Sequence, residues 1–119
     1  MLDPELEEVL SYIRKRPGMF FGGSEELLSC LYGFVNGYCY AKEKSSAFLI
    51  PATAVDEKFF PSKSFVKYLQ TKHDYPRGVG WNWKSLIASR HGQKEQGFEA
   101  FYLHLDEFLD ASNGVAAAG

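Results

Sequence analysis

Histidine, cysteine and serine side chains are the groups in this sequence that could bind a metal ion or act as a nucleophile. We expect His73 and His91 to lie near helix ends, where a solvated histidine is common, and His104 to lie within a helix. None of the three has a partner at metal-ligand spacing, and Cys30 and Cys39 lack the paired pattern of a zinc site. The sequence therefore predicts no metal site and no cofactor.

Catalysis by a serine or by paired carboxylates is not indicated. A nucleophile needs a neighbouring base and an oxyanion donor, but the serines fall at expected helix caps and in loops. The adjacent acids Glu7 and Glu8, like Asp106 and Glu107, diverge around a helix, so neither pair is placed for acid–base work. We expect solvated acidic faces and a protein that is not an enzyme.

Proline and glycine concentrate in one short stretch that joins two helix-patterned segments near the N-terminus. Pro17 cannot continue the preceding helix, and Gly18 can adopt a positive φ that turns the chain. We expect a tight helix-to-helix corner in which Met19, Phe20 and Phe21 form a hydrophobic plug. The predicted structural motif consists of Arg16, Pro17, Gly18, Met19 and Gly22.

Apolar residues recur at three- and four-residue steps along most of the chain, and this period predicts helices. Asp3 and Pro4 form a strong helix start, so the first helix should run from Pro4 to Lys15. The other predicted helices begin after Ser24, at Pro61, after Asn82 and near Phe98; the Asn82 helix closes at Gly92 and the last stops near Asn113–Gly114.

These elements predict an all-α fold, a single compact domain of about five helices. The 119 residues are enough for one core, and 45% hydrophobic and 16% aromatic residues are far from the composition of disordered chains. We expect the domain to span residues 1–114 and a small-residue tail to follow at 115–119. The apolar run 47–50 is too short to distinguish a strand from a buried turn of helix.

Neither export nor membrane insertion is expected. The chain starts with acidic residues where a secretory signal would have a basic region, and no apolar stretch approaches membrane-spanning length. We therefore expect a cytoplasmic protein.

Charge is unevenly distributed, although the net charge is only −2. Residues 58–94 contain eight Lys or Arg and the single acid Asp74, whereas both ends of the chain are acidic. This basic region could bind nucleic acid through phosphate contacts and base stacking. Alternatively, its lysines solvate a helix face while its aromatic residues pack inside, or it docks against the acidic terminal helices. The charged and aromatic residues in question are Lys63, Lys67, Lys72, Arg77, Lys84, Arg90, Lys94, Tyr68, Tyr75, Trp81 and Trp83.

The segment Arg14–Gly22 resembles the Arg-Lys-Arg-Pro-Gly-Met-Tyr-Ile-Gly segment of type II topoisomerase and gyrase ATPase subunits. In that family the next helix carries a catalytic glutamate and an asparagine for magnesium. Here Gly33 and Gly37 occupy those positions, and no Asp-Gly-x-Gly loop follows. The resemblance therefore does not imply an ATPase, and a remnant nucleotide binder is only a third hypothesis.

A second resemblance covers more of the chain. Arg-Pro-Gly-Met-aromatic-x-Gly, Leu-x-x-Phe-Val-x-Gly-Tyr, Gly-Trp-x-x-x-Leu-Ile and a terminal Phe-x-x-Phe-x-x-x-Leu-x-x-Phe occur in this order. This pattern resembles a family of small bacterial proteins that we associate with immunity partners of contact-dependent and other polymorphic toxins. The resemblance implies a stoichiometric, non-catalytic inhibitor with a cognate protein toxin as its partner. The four segments are residues 16–22, 31–38, 80–87 and 98–108.

If the toxin were a nuclease, its cationic active site would attract an acidic surface that mimics the substrate. The expected partner-binding residues are then acids of the two terminal helices. The alternative function is a nucleic-acid-binding accessory protein that uses the basic region 58–94. The candidate partner-binding residues are Asp106, Glu107, Asp110, Glu7 and Glu8.

Overall fold

Helices joined by short loops make up the structure, a computed structural model that describes residues 2–23, 25–45 and 59–118, with side chains at 2–23, 25–42 and 59–111. These residues contain six helices and no strand, which confirms the all-α class. The radius of gyration of 14.4 Å is close to the roughly 13.5 Å expected for one compact domain of this length. The helices are α1 Pro4–Lys15, α2 Pro17–Phe21, α3 Leu27–Ser45, α4 Ser62–Lys72, α5 Trp83–His91 and α6 Glu95–Ala118.

The predicted bounds of α1 are confirmed, and its capping residue also contacts two other parts of the chain. The Asp3 carboxylate accepts a hydrogen bond from the Leu6 amide at 3.2 Å and another from the Tyr38 hydroxyl of α3 at 2.7 Å. The Asp3 amide donates to the Phe59 carbonyl at 3.0 Å. One residue therefore starts α1, attaches it to α3 and attaches it to the segment before α4.

The predicted start and end of α5 are also confirmed. The Asn82 side chain accepts a hydrogen bond from the Ser85 amide at 2.7 Å, and the helix ends at Gly92, which has a φ of 83°.

The last helix differs from the prediction because it continues past Asn113–Gly114 to Ala118. Three consecutive alanines favour this extension, since alanine has the highest helix propensity. The run 47–50 and Ser24 lie outside the described residues.

Aromatic side chains hold the helices together at the centre of the molecule. Trp83 of α5 and Phe101 of α6 have ring centroids 4.6 Å apart, and Phe65 of α4 lies 5.9 Å from Phe101. Phe60, which precedes α4, packs 5.8 Å from Trp83. All four side chains are buried, and α3 adds Leu28, Leu31 and Val35 to the same core. This aromatic cluster orients α4, α5 and α6 relative to one another.

The corner between α1 and α3 forms where the sequence predicts it, but the expected hydrophobic plug is wrong for Met19 and Phe20. Residues 17–21 form the short helix α2, in which Met19 is 71% exposed and Phe20 43%, while Phe21 is half-buried against the core. Successive side chains of a helix point about 100° apart, so three in a row cannot all face inward. Gly18 lies within α2 without a positive φ, whereas Gly22 ends α2 at φ 63° and ψ −144°.

Replacing Gly22 by alanine should destabilise the protein, because this backbone conformation is open almost only to glycine. We expect the free energy of unfolding to fall by about 1–3 kcal/mol for Gly22→Ala. Gly18→Ala is the matched control, since its added Cβ meets nothing within 4 Å and glycine disfavours a helix. It should leave stability unchanged or raise it slightly. Urea denaturation checks both, and equal losses for the two variants would contradict this view of the corner.

Candidate functional site

Helix α6 presents three different faces, and the candidate sites lie on two of them. One face is buried in the core through Phe98, Phe101 and Leu105. At 3.6 residues per turn, the positions 99, 103, 106 and 110 fall on a second face within an arc of about 60°. The third face carries His104 and Glu107 toward the end of α4.

The second face is an exposed stripe of three acids around one leucine, which we call the α6 stripe. Leu103 is 56% exposed, although most leucines of this chain are buried. A single exposed leucine is ordinary on a protein surface, so Leu103 is of interest because acids surround it on the same face of the helix. The stripe consists of Glu99, Leu103, Asp106 and Asp110, and all four are exposed.

A shallow groove of about 190 Å³ separates the α6 stripe from α1. Glu7 of α1 and Asp106 of α6 both line it. Arg14 crosses between the helices, with its guanidinium 2.8 Å from the Asp106 carboxylate and 5.1 Å from the centre of the Tyr102 ring. Because both partners of this ion pair are partly exposed, the pair stabilises the fold by no more than about 1 kcal/mol.

The predicted partner-binding residues therefore separate into two groups. Glu7 lines the groove beside Asp106, and it also lines the outer surface of α1 with Glu8 and the 55% exposed Tyr12. Glu107 does not belong to this surface, because its carboxylate faces the two histidines described next. We call the α6 stripe together with Glu7 and Glu8 the acidic face.

His73, His104 and Glu107 meet between the end of α4 and α6. The Nε2 atom of His73 lies 3.2 Å from one Glu107 carboxylate oxygen, and Nδ1 of His104 lies 3.7 Å from the other. Neither contact has hydrogen-bond geometry, so both ring nitrogens are close to the carboxylate without being hydrogen-bonded to it. The two rings are 4.3 Å apart between centroids.

Burial controls the protonation of this cluster. His104 is only 8% exposed, and its burial, with the neighbouring His73 as a second cause, lowers the pKa of its ring from 6.5 to about 4. His104 is therefore neutral at physiological pH. Its Nε2 atom forms a hydrogen bond of 2.8 Å with the Tyr75 hydroxyl, and the Arg90 guanidinium covers the Tyr75 ring at 3.8 Å from its centre.

This cluster was not predicted from the sequence, although part of it has a local signal. His104 and Glu107 are three residues apart, which places them on neighbouring positions of one helical face, and this spacing was a usable signal. His73 reaches them only through tertiary packing, since it follows α4 and is distant in the chain. We found no signal in the local pattern for that contact.

The basic region 58–94 does not present a stacking surface for bases. Tyr75 and Trp83 are each 1% exposed and belong to the core, and Tyr68 packs edge-on against Phe108. Among the four aromatic residues considered for stacking, Trp81 is the most exposed, at 36%. The interpretation in which the aromatics pack inside while lysines solvate α4 therefore describes this region better.

Comparison with protein families, with curated proteins and with solved structures finds no match to this chain. No helix among the described residues combines the length and apolar character needed to cross a membrane.

The Tyr102 hydroxyl, which donates to the Leu10 carbonyl at 2.7 Å, should stabilise the attachment of α1 to α6. Removing it by Tyr102→Phe should lower the free energy of unfolding by about 1 kcal/mol at pH 7, the usual contribution of such a bond. Burial raises the pKa of Tyr102 above its ordinary value of 10.0. This stabilisation is therefore fully present below pH 10 and decreases as pH rises above it, where the unfolded chain ionises first.

Urea denaturation of both proteins at pH 7 and at pH 10.5 measures this effect. The difference in stability between the wild type and the Phe variant should shrink at the higher pH. A difference that stays constant, or a variant as stable as the wild type at pH 7, would contradict a role for the hydroxyl.

Proposed function

We propose that this chain is a non-catalytic, cytoplasmic inhibitor that binds and neutralises a bacterial protein toxin by covering its active site. The observation that carries the proposal is the α6 stripe, in which the exposed Leu103 lies between the acids Glu99, Asp106 and Asp110. The motif order described above, which resembles that of immunity proteins, supports the same conclusion.

The acidic face suits a partner with a cationic surface. Glu7 of α1 lines the groove with Asp106, and Glu8 lies on the outer surface of α1, so negative charge extends over two helices. Complementary charge mainly accelerates the encounter of two proteins and fixes their orientation. A nuclease holds its phosphate substrate with cationic groups, and such an enzyme is the class of toxin that this face would attract.

Apolar groups would provide the contact area once the two proteins meet. Leu103 is 56% exposed and Tyr12 is 55% exposed, one on each helix that forms the acidic face. Tyrosine is enriched among the residues that dominate interface energies, and burial of the leucine side chain by a partner would add apolar contact area. The Arg14–Asp106 ion pair is weak enough to rearrange when a partner binds.

Co-expression with the toxin encoded beside this protein tests the proposal. We expect the cells to survive and the two proteins to elute together from a sizing column. Continued cell death without a complex would refute the proposed function. Binding of single-stranded DNA that weakens steeply with salt would favour the nucleic-acid alternative instead.

Charge reversal distinguishes the acidic face from the rest of the surface. The double variant Glu99→Lys with Asp110→Lys leaves the Arg14–Asp106 pair intact. It should slow association with the toxin by about tenfold or more at low salt. Glu25→Lys with Glu95→Lys changes the net charge equally at two other exposed positions, and it should associate as fast as the wild type. Stopped-flow association kinetics measure both, and equal rates for the two double variants would place the interface elsewhere.

A further inference from the structure

We propose that His73, His104 and Glu107 form a binding site for one divalent transition-metal ion of the zinc class. The site lies where the end of α4 meets α6, outside the acidic face. The potential ligand atoms of the three residues all lie within 4.8 Å of one another. This proposal does not depend on the proposed function.

The two Glu107 distances match those required around a tetrahedral ion. Zinc binds imidazole nitrogen and carboxylate oxygen at about 2.0–2.2 Å, so two ligand atoms on the same ion are about 3.3–3.6 Å apart. The contacts of Glu107 to His73 and to His104 measure 3.2 and 3.7 Å. The ligand atoms of the two histidines lie within 4.8 Å of each other, so side-chain rotations that bring them closer would enclose an ion.

Two unsatisfied nitrogens point to a ligand at this position. Among the described residues, three buried side-chain nitrogens lack a hydrogen-bond partner: Nε1 of Trp83 in the core, and Nε2 of His73 and Nδ1 of His104 at this site. Buried polar atoms in folded proteins are nearly always satisfied, so two unsatisfied atoms beside one carboxylate need an explanation. A metal ion would accept a lone pair from both nitrogens and from Glu107 at once.

Tyr75 forms a hydrogen bond with one ring nitrogen of His104, as the partner of a metal-bound histidine does. When Nε2–H of His104 donates to the Tyr75 hydroxyl oxygen, Nδ1 presents its lone pair to Glu107. Arg90 fixes this arrangement, because it covers the Tyr75 ring and donates to the His73 carbonyl at 3.0 Å.

A bound ion would attach the C-terminal end of α4 to the middle of α6. Two nitrogens and one carboxylate are a donor set used by zinc, and three protein ligands leave a fourth position for water or for a donor from another molecule. Glu107 is half exposed, so its carboxylate gives the ion a route from solvent to the buried nitrogens.

Zinc titration of the full chain, after removal of metals with a chelator, tests the site. Isothermal titration calorimetry should give one zinc ion per chain, and the melting temperature should rise with zinc concentration. Glu107→Gln and His73→Gln should each weaken binding by at least tenfold and abolish most of the rise in melting temperature. Both substitutions are at partly exposed positions and should leave the fold intact, which circular dichroism checks.

Glu99→Gln is the matched control, since it removes one acid of α6 that is not among the proposed ligands. It should bind zinc as tightly as the wild type. Absence of zinc binding by the wild type would overturn the proposal. Binding that survives in both Glu107→Gln and His73→Gln would place the ion elsewhere and would overturn it equally.

Discussion

The contact between Trp83 and Phe101 is the constraint on which the rest of the structure depends. Their rings lie 4.6 Å apart at the centre of a cluster to which α4 contributes Phe65 and the preceding segment contributes Phe60. Large aromatic side chains bury much apolar area and prefer defined ring geometries, so they fix orientation as well as stability. Once Phe101 points into this cluster, the rotation of α6 about its own axis is determined.

That rotation determines which side of α6 faces solvent beside α1 and which side faces the end of α4. With Phe98, Phe101 and Leu105 inside, the α6 stripe must face solvent beside α1, and His104 must face the end of α4. The acidic face and the histidine cluster are therefore consequences of the same core packing, although they occupy different sides of one helix. Residues of the stripe and of the cluster can therefore vary independently as long as the core is kept.

Local sequence patterns predicted the helices well but predicted their tertiary contacts poorly. The cap at Asn82 and the bounds of α1 depend on residues three or four positions apart, and both predictions were confirmed. The plug at Met19 was wrong because exposure depends on what packs over a helix as short as α2, which a local pattern does not contain. The histidine cluster was missed for a similar reason, since Tyr75 and His104 are 29 positions apart and meet only in the folded chain.

The Asp3 carboxylate forms hydrogen bonds with both the first turn of α1 and the middle of α3, so the ordering of these two parts of the chain is coupled. The same carboxylate oxygen accepts from the Leu6 amide and from the Tyr38 hydroxyl, and this bond, after burial itself, helps raise the pKa of Tyr38 to about 12. Helix ends ordinarily fray, and their amides then exchange with solvent faster than those of the core. Here fraying of α1 would also release Tyr38, so amides at the start of α1 should exchange more slowly than those of an unattached helix end.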